Sequence, residues 1–176
     1  MAHRIELHGG DRLRVLVAGL GLGYSAYEAL KSDRVQSVEV VELLPQVIGW
    51  MKDGLIPLSA SLADEPRLEV TQADAYSMLA APADKQYDVI VIDIDHSPDD
   101  RLGAGESFTF YSRAGLAAAK KHLRPGGVLG VWSYAENSPF ADGLRNSFKT
   151  LRIEPVTHQN ELVHEQHTDW LFFVTD

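Results

Sequence analysis

Cysteine is absent from the 176 residues, so neither disulfides nor thiolate chemistry can contribute to fold or reaction. That absence suits the cytoplasm, which is the expected location. No apolar run approaches the roughly 20 residues that a membrane span needs, and the N-terminus lacks an apolar signal-peptide segment, so no membrane partner is expected. Positive charge is scarce: 16 Lys and Arg stand against 25 Asp and Glu, a net charge of −9. Such a chain is poorly suited to a phosphate backbone, so nucleic acid is not an expected partner. An acidic surface suits a cationic or neutral small molecule, and it also serves plain solubility. Linkers, low-complexity tracts and internal repeats are lacking too, so residues 1–176 are expected to form a single domain. A hydrophobic content of 45% is enough to give that domain a core.

The most informative stretch runs from Val15 to Leu30, VLVAGLGLGYSAYEAL. Val15 to Ala18 is an apolar run of the kind found in a buried strand. Gly19, Gly21 and Gly23 follow at every second position, and Ala26, Tyr27 and Leu30 then recur at helical spacing. Strand, glycine turn and helix open a nucleotide-binding βαβ unit, in which glycines let backbone approach a ligand and the helix start offers free N–H groups. Glycine-rich turns also serve packing alone. The next apolar strand, Ser37 to Val41, ends at Glu42, 19 positions after Gly23. An acid so placed can accept hydrogen bonds from ribose hydroxyls, and the plainer role is a solvated helix cap.

Along the chain, strands are expected at Leu13–Ala18, Ser37–Glu42, Arg67–Gln72, Tyr87–Asp93 and Val128–Tyr134, with a closing pair at Leu151–Thr157 and Trp170–Thr175. Helices are expected at Gly23–Lys31, Pro45–Lys52, Ala75–Ala80, Phe108–His122 and from Asn137 to about Lys149. Asp53–Glu65 has no clear period, Arg124-Pro125-Gly126-Gly127 resembles a turn, and a polar loop follows Asp93 as far as Ser107. Alternating strands and helices imply a parallel sheet covered on both faces, and the short final connection makes the last pair antiparallel. Ligands of such sheets bind beyond the carboxyl ends of the strands. There the sequence sets Gly19–Gly23, Glu42, Asp74 and Asp93.

Four stretches, VLVAGLGLGY, VEVVELLPQVI, VTQADAYSML and YDVIVIDIDHSP, resemble the catalytic domain of spermidine synthases, the polyamine aminopropyltransferases. LRPGGVLGVWS and GAGESFTFY extend the likeness. The resemblance implies an α/β, Rossmann-like class I methyltransferase fold: a seven-stranded, mostly parallel sheet with an antiparallel C-terminal hairpin. It implies S-adenosylmethionine or its decarboxylated form as co-substrate, and a small-molecule amine or other small acceptor. A homodimer is a further possibility it raises. Gly19, Gly21 and Gly23 are implied to lie beneath the nucleoside, Glu42 with Leu43 beside it to hold the ribose, and Asp74 with the Ala75 backbone to meet the adenine. Asp93 matches the family's catalytic aspartate, and Val17 is apolar where ordinary methyltransferases carry an acid.

The sequence also departs from the family. Leu22 replaces the aspartate of the glycine motif, His96 replaces a second aspartate, and Pro98 sits one position late. Gln159 to Asp169 stands where the family has P-T-Y-P-S-G, and no counterpart of the family's N-terminal β-domain is expected within residues 1–176. These departures leave two rivals to aminopropyl transfer open, a small-molecule S-adenosylmethionine-dependent methyltransferase and a non-catalytic nucleoside-binding protein. Aminopropyl transfer itself needs an in-line sulfonium and a base for the amine. Asp93 suits that base, and His96 is a second candidate because imidazole titrates near neutral pH. Loop positions also suit mere turn-capping, for His96 and for Asp95, Asp99, Asp100 and Glu106. His158, His164 and His167 with Glu161 and Glu165 match no ligand spacing, so no metal is expected. Trp132 and Tyr134 could wall a pocket, though core positions are the commoner fate of such aromatics. Phe108, Phe110 and Tyr111 are expected to pack their helix on the sheet.

Overall fold

The structure, a computed structural model, describes residues 10–94, 110–160 and 164–176. His96, Asp95, Asp99, Asp100, Glu106, Phe108 and Glu161 lie outside them. Seven strands form one sheet: β1 (Leu13–Ala18), β2 (Val35–Glu42), β3 (Leu68–Gln72), β4 (Tyr87–Ile92), β5 (Leu123–Ser133), β6 (Thr150–Asn160) and β7 (Glu165–Thr175). The order is β3-β2-β1-β4-β5-β7-β6. All neighbours through β5 are parallel, and β7 runs antiparallel to both β5 and β6. This is the fold expected from the resemblance, hairpin included.

The order follows from the side-chain pattern. Central strands covered on both faces need apolar residues at every position, and β4 (YDVIVI) is buried throughout. Alternate residues then feed two cores. Leu16, Ala18, Ile90 and Ile92 join Leu129, Val131 and Phe172 on one face. Over them pack α4 (Ala75–Ala80), α5 (Arg113–Lys120) and α6 (Ser138–Ser147), through Leu79, Leu116 and Leu144. Val15, Val17, Val38, Val40, Val89 and Val91 form the other face. That side is covered by α1 (Tyr24–Leu30), α2 (Pro45–Lys52) and α3 (Ser59–Leu62), through Ala26, Ala29, Ile48, Met51 and Leu62.

Four differences from the sequence expectation exceed a residue or two. The stretch after Asp53 holds the one-turn helix α3, and the helix expected from Phe108 to His122 is, among the described residues, α5 from Arg113 to Lys120. Arg124–Gly127 lies inside β5 rather than before it. Leu123 already pairs with Tyr87, and a register shift absorbs the left-handed Gly126. The closing hairpin is also longer. The last β5–β7 pair is Ser133 with Trp170, yet β6 and β7 continue together to Asn160 and Glu165. Because β6 is parallel to β5, this ribbon projects past the carboxyl ends of the parallel strands. Pro155 is tolerated in β6 because that strand is an edge.

Candidate functional site

Parallel neighbours in register bring the ends of β1, β2, β3 and β4 to one edge. The connections that leave this edge supply the candidate site. After β1, Gly19, Gly21 and Gly23 all take positive φ, at 96°, 49° and 86°. Two of them are required by close packing as well as by angle. A Cβ on Gly19 would collide with the carbonyl of Asp93, and one on Gly23 would stand 2.5 Å from Leu62 Cδ1. The Gly21 position faces open space. Packing therefore accounts for two glycines, while the third leaves backbone bare at the surface. Leu22 and Tyr24 are exposed beside it. Gly23 also begins α1, with no side chain capping the first turn.

Glu42 is not a solvated cap. It is buried, and its two oxygens accept from the Leu20 amide in the glycine turn and the Leu44 amide, both at 2.8 Å. Each carboxylate oxygen keeps a second acceptor site beyond those bonds. Leu43 beside it is 60% exposed. Asp74 is the N-cap of α4. Its carboxylate accepts from the Tyr76 amide at 2.9 Å and the Ser77 hydroxyl at 2.8 Å. Ala75, the first residue of α4, is buried, and first-turn N–H groups have no partner within a helix.

Asp93 follows β4 directly. Its amide donates to the Ala18 carbonyl at 2.9 Å, which fixes it against the root of the glycine turn. Its carboxylate accepts from the Ser25 hydroxyl in α1. Gly19, Gly21, Gly23, Glu42, Leu43, Asp74, Ala75 and Asp93 thus share one edge. His96, the other catalytic candidate, lies outside the described residues. Among those residues, neither Glu42, Asp74 nor Asp93 forms an ion pair with a Lys or Arg. Backbone amides and hydroxyls hold all three.

The aromatics divide. Phe110 is in the core against Tyr76, with ring centroids 5.0 Å apart, as expected for this cluster. Burial pushes the Tyr76 phenol far above its ordinary pKa, and its hydroxyl meets that of Tyr111 at 2.9 Å. Trp132 and Tyr134 are not core residues: Tyr134 is 49% exposed, because it follows the last β5 residue that pairs with β7. On the ribbon, His158 and His167 face each other across the strands, with ring centroids 6.0 Å apart. Each has one acidic neighbour, Asp169 at 3.8 Å and Glu165 at 3.9 Å, and no group of three metal-ligating side chains occurs among the described residues.

Sequence reasoning passes over two groups at this edge. The Leu20 amide carries no side-chain signal at all. Ser25 does: a hydroxyl in the first turn after a glycine loop is a candidate to reach the next strand end.

Likeness to known proteins agrees with this layout. The chain is 32% identical over 123 residues to a polyamine aminopropyltransferase of Aeropyrum pernix, a match covering 70% of this chain and 38% of that protein. It is 27% identical over 116 residues to putrescine N-methyltransferase 2 of Nicotiana tabacum, covering 66% of this chain and 31% of that protein. A spermidine synthase solved in complex with the transition-state analogue AdoDATO superposes with a TM-score of 0.73 at 21% identity, over 96% of this chain and 56% of that one. The chain therefore spans under two-fifths of the curated relatives' length. The model of the spermine/spermidine synthase domain matches residues 1–141, which hold the glycine turn and every acid of the shared edge, and the chain belongs to that family.

Proposed function

We propose that this domain binds an adenosine-bearing sulfonium, decarboxylated S-adenosylmethionine, and transfers its aminopropyl group to a small amine. One observation carries the reading: three carboxylates without cationic partners among the described residues follow parallel strands β2, β3 and β4, at one edge with a glycine turn whose face is bare. Glu42, through its remaining acceptor sites, holds the ribose diol, with Leu43 covering the nucleoside. Asp74 accepts from the adenine amino group and the Ala75 N–H donates to the ring. Gly21 lets the sulfonium side approach the backbone. The relatives named as aminopropyltransferases and the AdoDATO-bound structure support the same ligand class.

In the reaction the amine nitrogen attacks the carbon next to sulfur. The C–N bond forms as the C–S bond breaks, and sulfur leaves with the electron pair as neutral methylthioadenosine. The amine proton passes to Asp93 and then to solvent. Positioning supplies much of the rate, because both partners are held at one edge. The uncompensated negative charge of that edge draws in both a sulfonium and an ammonium.

A second reading, methyl transfer to an amine, is favoured by Leu22, an uncharged residue on the glycine turn, and by the relative named putrescine N-methyltransferase. Incubation with each nucleoside and a panel of di- and polyamines separates the two. Methylthioadenosine from the decarboxylated nucleoside supports aminopropyl transfer. S-adenosylhomocysteine from S-adenosylmethionine, with no methylthioadenosine, replaces it with methyl transfer. Neither product from any amine refutes both.

A further inference from the structure

Asp93 is fixed at three points. Its amide is bound to Ala18, its carbonyl fills the space that a side chain at Gly19 would need, and one carboxylate oxygen, Oδ2, accepts from Ser25. The first two fix the backbone, and only the third acts on the side chain. A carboxylate on a fixed backbone still turns about two bonds. An unheld one spends part of its time aimed away from an incoming amine.

Ser25 lies 68 positions away in sequence, on α1, the helix that the glycine turn launches. Gly23 cannot cap this helix with a side chain. A serine in a first turn ordinarily turns its hydroxyl to the local backbone. Here the hydroxyl crosses from the β1 connection to the end of β4 instead. Both residues are only partly buried, so water could have satisfied either group. No ion pair with a Lys or Arg orients Asp93 among the described residues.

We propose that Ser25 is a positioning residue for Asp93: its hydroxyl occupies Oδ2 and so presents Oδ1 to the attacking amine. The inference rests on the reading of Asp93 as acceptor of the amine proton. Ser25 takes no proton and touches neither substrate. Because α1 leaves the glycine turn directly, the bond also joins the nucleoside side of the site to the transfer side.

The test is steady-state turnover, read as methylthioadenosine release, with calorimetric affinity for the nucleoside measured in parallel. Ser25→Ala lowers kcat about tenfold, the size expected for one lost hydrogen bond to a charged group, while nucleoside affinity and its KM stay unchanged. Ser25→Thr keeps the wild-type kcat, and Ser25→Val, of the same shape without the hydroxyl, loses it. In an Asp93→Asn background Ser25→Ala has no further effect. An unchanged kcat in both Ser25→Ala and Ser25→Val overturns the proposal, as does a fall in nucleoside affinity that matches the fall in turnover. Asp93→Asn alone tells the two levels apart. If it turns over normally, the assignment of Asp93 fails and Ser25 with it. If it is inactive while Ser25→Ala and Ser25→Val are normal, only Ser25 fails.

Discussion

The two halves of the sheet treat their acids in opposite ways. Toward the amino ends of the strands, each buried or half-buried acid has a cation. Asp88 bonds Arg124 at 3.1 Å and the Arg14 amide at 2.8 Å. Glu39 meets Lys85 at 3.2 Å and accepts from the Tyr87 hydroxyl at 2.8 Å. Glu65 pairs with Arg67 at 2.9 Å, and the Arg67 guanidinium also donates to the carbonyls of Leu30, Ser32 and Val35. At the carboxyl ends, Glu42, Asp74 and Asp93 have only neutral donors among the described residues. An acid paired with a cation inside the protein has its charge spent on the fold. An acid held by amides and hydroxyls is equally well placed, yet it still presents a full charge outward. The fold is clasped at one edge, and the other is kept electrostatically open.

Substitutions at the open edge should therefore act on ligands, and those at the clasped edge on stability. The largest contrast is expected at Asp93. Asp93→Asn keeps the shape and the bond from Ser25 and removes the base, so turnover should fall by roughly 10²-fold or more. The melting temperature should barely change. Comparable turnover in the asparagine variant would show that the open edge is no different from the other.

Glu42 tests whether one residue can belong to both categories. Glu42→Ala strands the Leu20 and Leu44 amides, at a cost of roughly 3 kcal/mol for two bonds to a buried charge. It should also abolish nucleoside binding in a calorimeter. Glu42→Gln leaves an acceptor for one amide and should be less destabilised while still binding weakly. A stable, tight-binding Glu42→Ala would remove this residue from the site.

Much of the fold and the alignment of the open edge were legible in the sequence, whereas the pairing of the other acids with cations was not. The strand Leu13–Ala18 and the helices Pro45–Lys52 and Ala75–Ala80 agree with their expected bounds, because unbroken apolar runs, a proline at a first turn and an Asp cap are local signals. The alignment of Glu42, Asp74 and Asp93 on one edge followed from parallel alternation alone. Three further features were not legible, each for a physical reason. Arg124–Gly127 has the composition of a turn, and only pairing with β4 makes it part of a strand. The outer ribbon, Val156–Gln159 against Glu165–His167, is exposed on both faces, so no apolar period marks it. The bond from Ser25 to Asp93 spans two βα units, and no local pattern encodes it. The amine-side acids and His96 belong to a segment outside the described residues.

At the clasped edge the expected effects are smaller and depend on pH. Burial first, and then the bond to Glu39, push the Tyr87 phenol well above its ordinary value of about 10. A raised pKa in an acid that is neutral below it means that the folded state keeps a proton the unfolded chain gives up. The contribution is complete below about pH 10 and is lost as pH rises above that. Tyr87→Phe should therefore cost about 1–2 kcal/mol at neutral pH. It should also flatten the alkaline fall in stability, leaving only the part due to Tyr76, whose phenol is raised in the same way. Urea denaturation at pH 7 and pH 11 checks both statements. An equal gap between wild type and Tyr87→Phe at the two pH values would mean that the Tyr87 phenol is not raised in the folded state.

The smallest effect is expected at Lys85, and it sharpens the comparison from the other side. Its side chain is 52% exposed, while that of Glu39 is 14% exposed. The glutamate raises the Lys85 pKa, chiefly through the hydrogen bond, but an ammonium so exposed is screened by solvent and salt. Lys85→Met should cost no more than about 0.5 kcal/mol, and less still in 1 M salt. Glu39 nevertheless keeps the Tyr87 hydroxyl, so it is never left as a bare buried charge. The outcome to watch is nucleoside and amine affinity at low salt, which should not move. If removing this lysine raised the affinity for a cationic amine, Glu39 would be presenting charge to ligands as the opposite edge does. The division of the sheet into a clasped and an open side would then be wrong at its best-paired point.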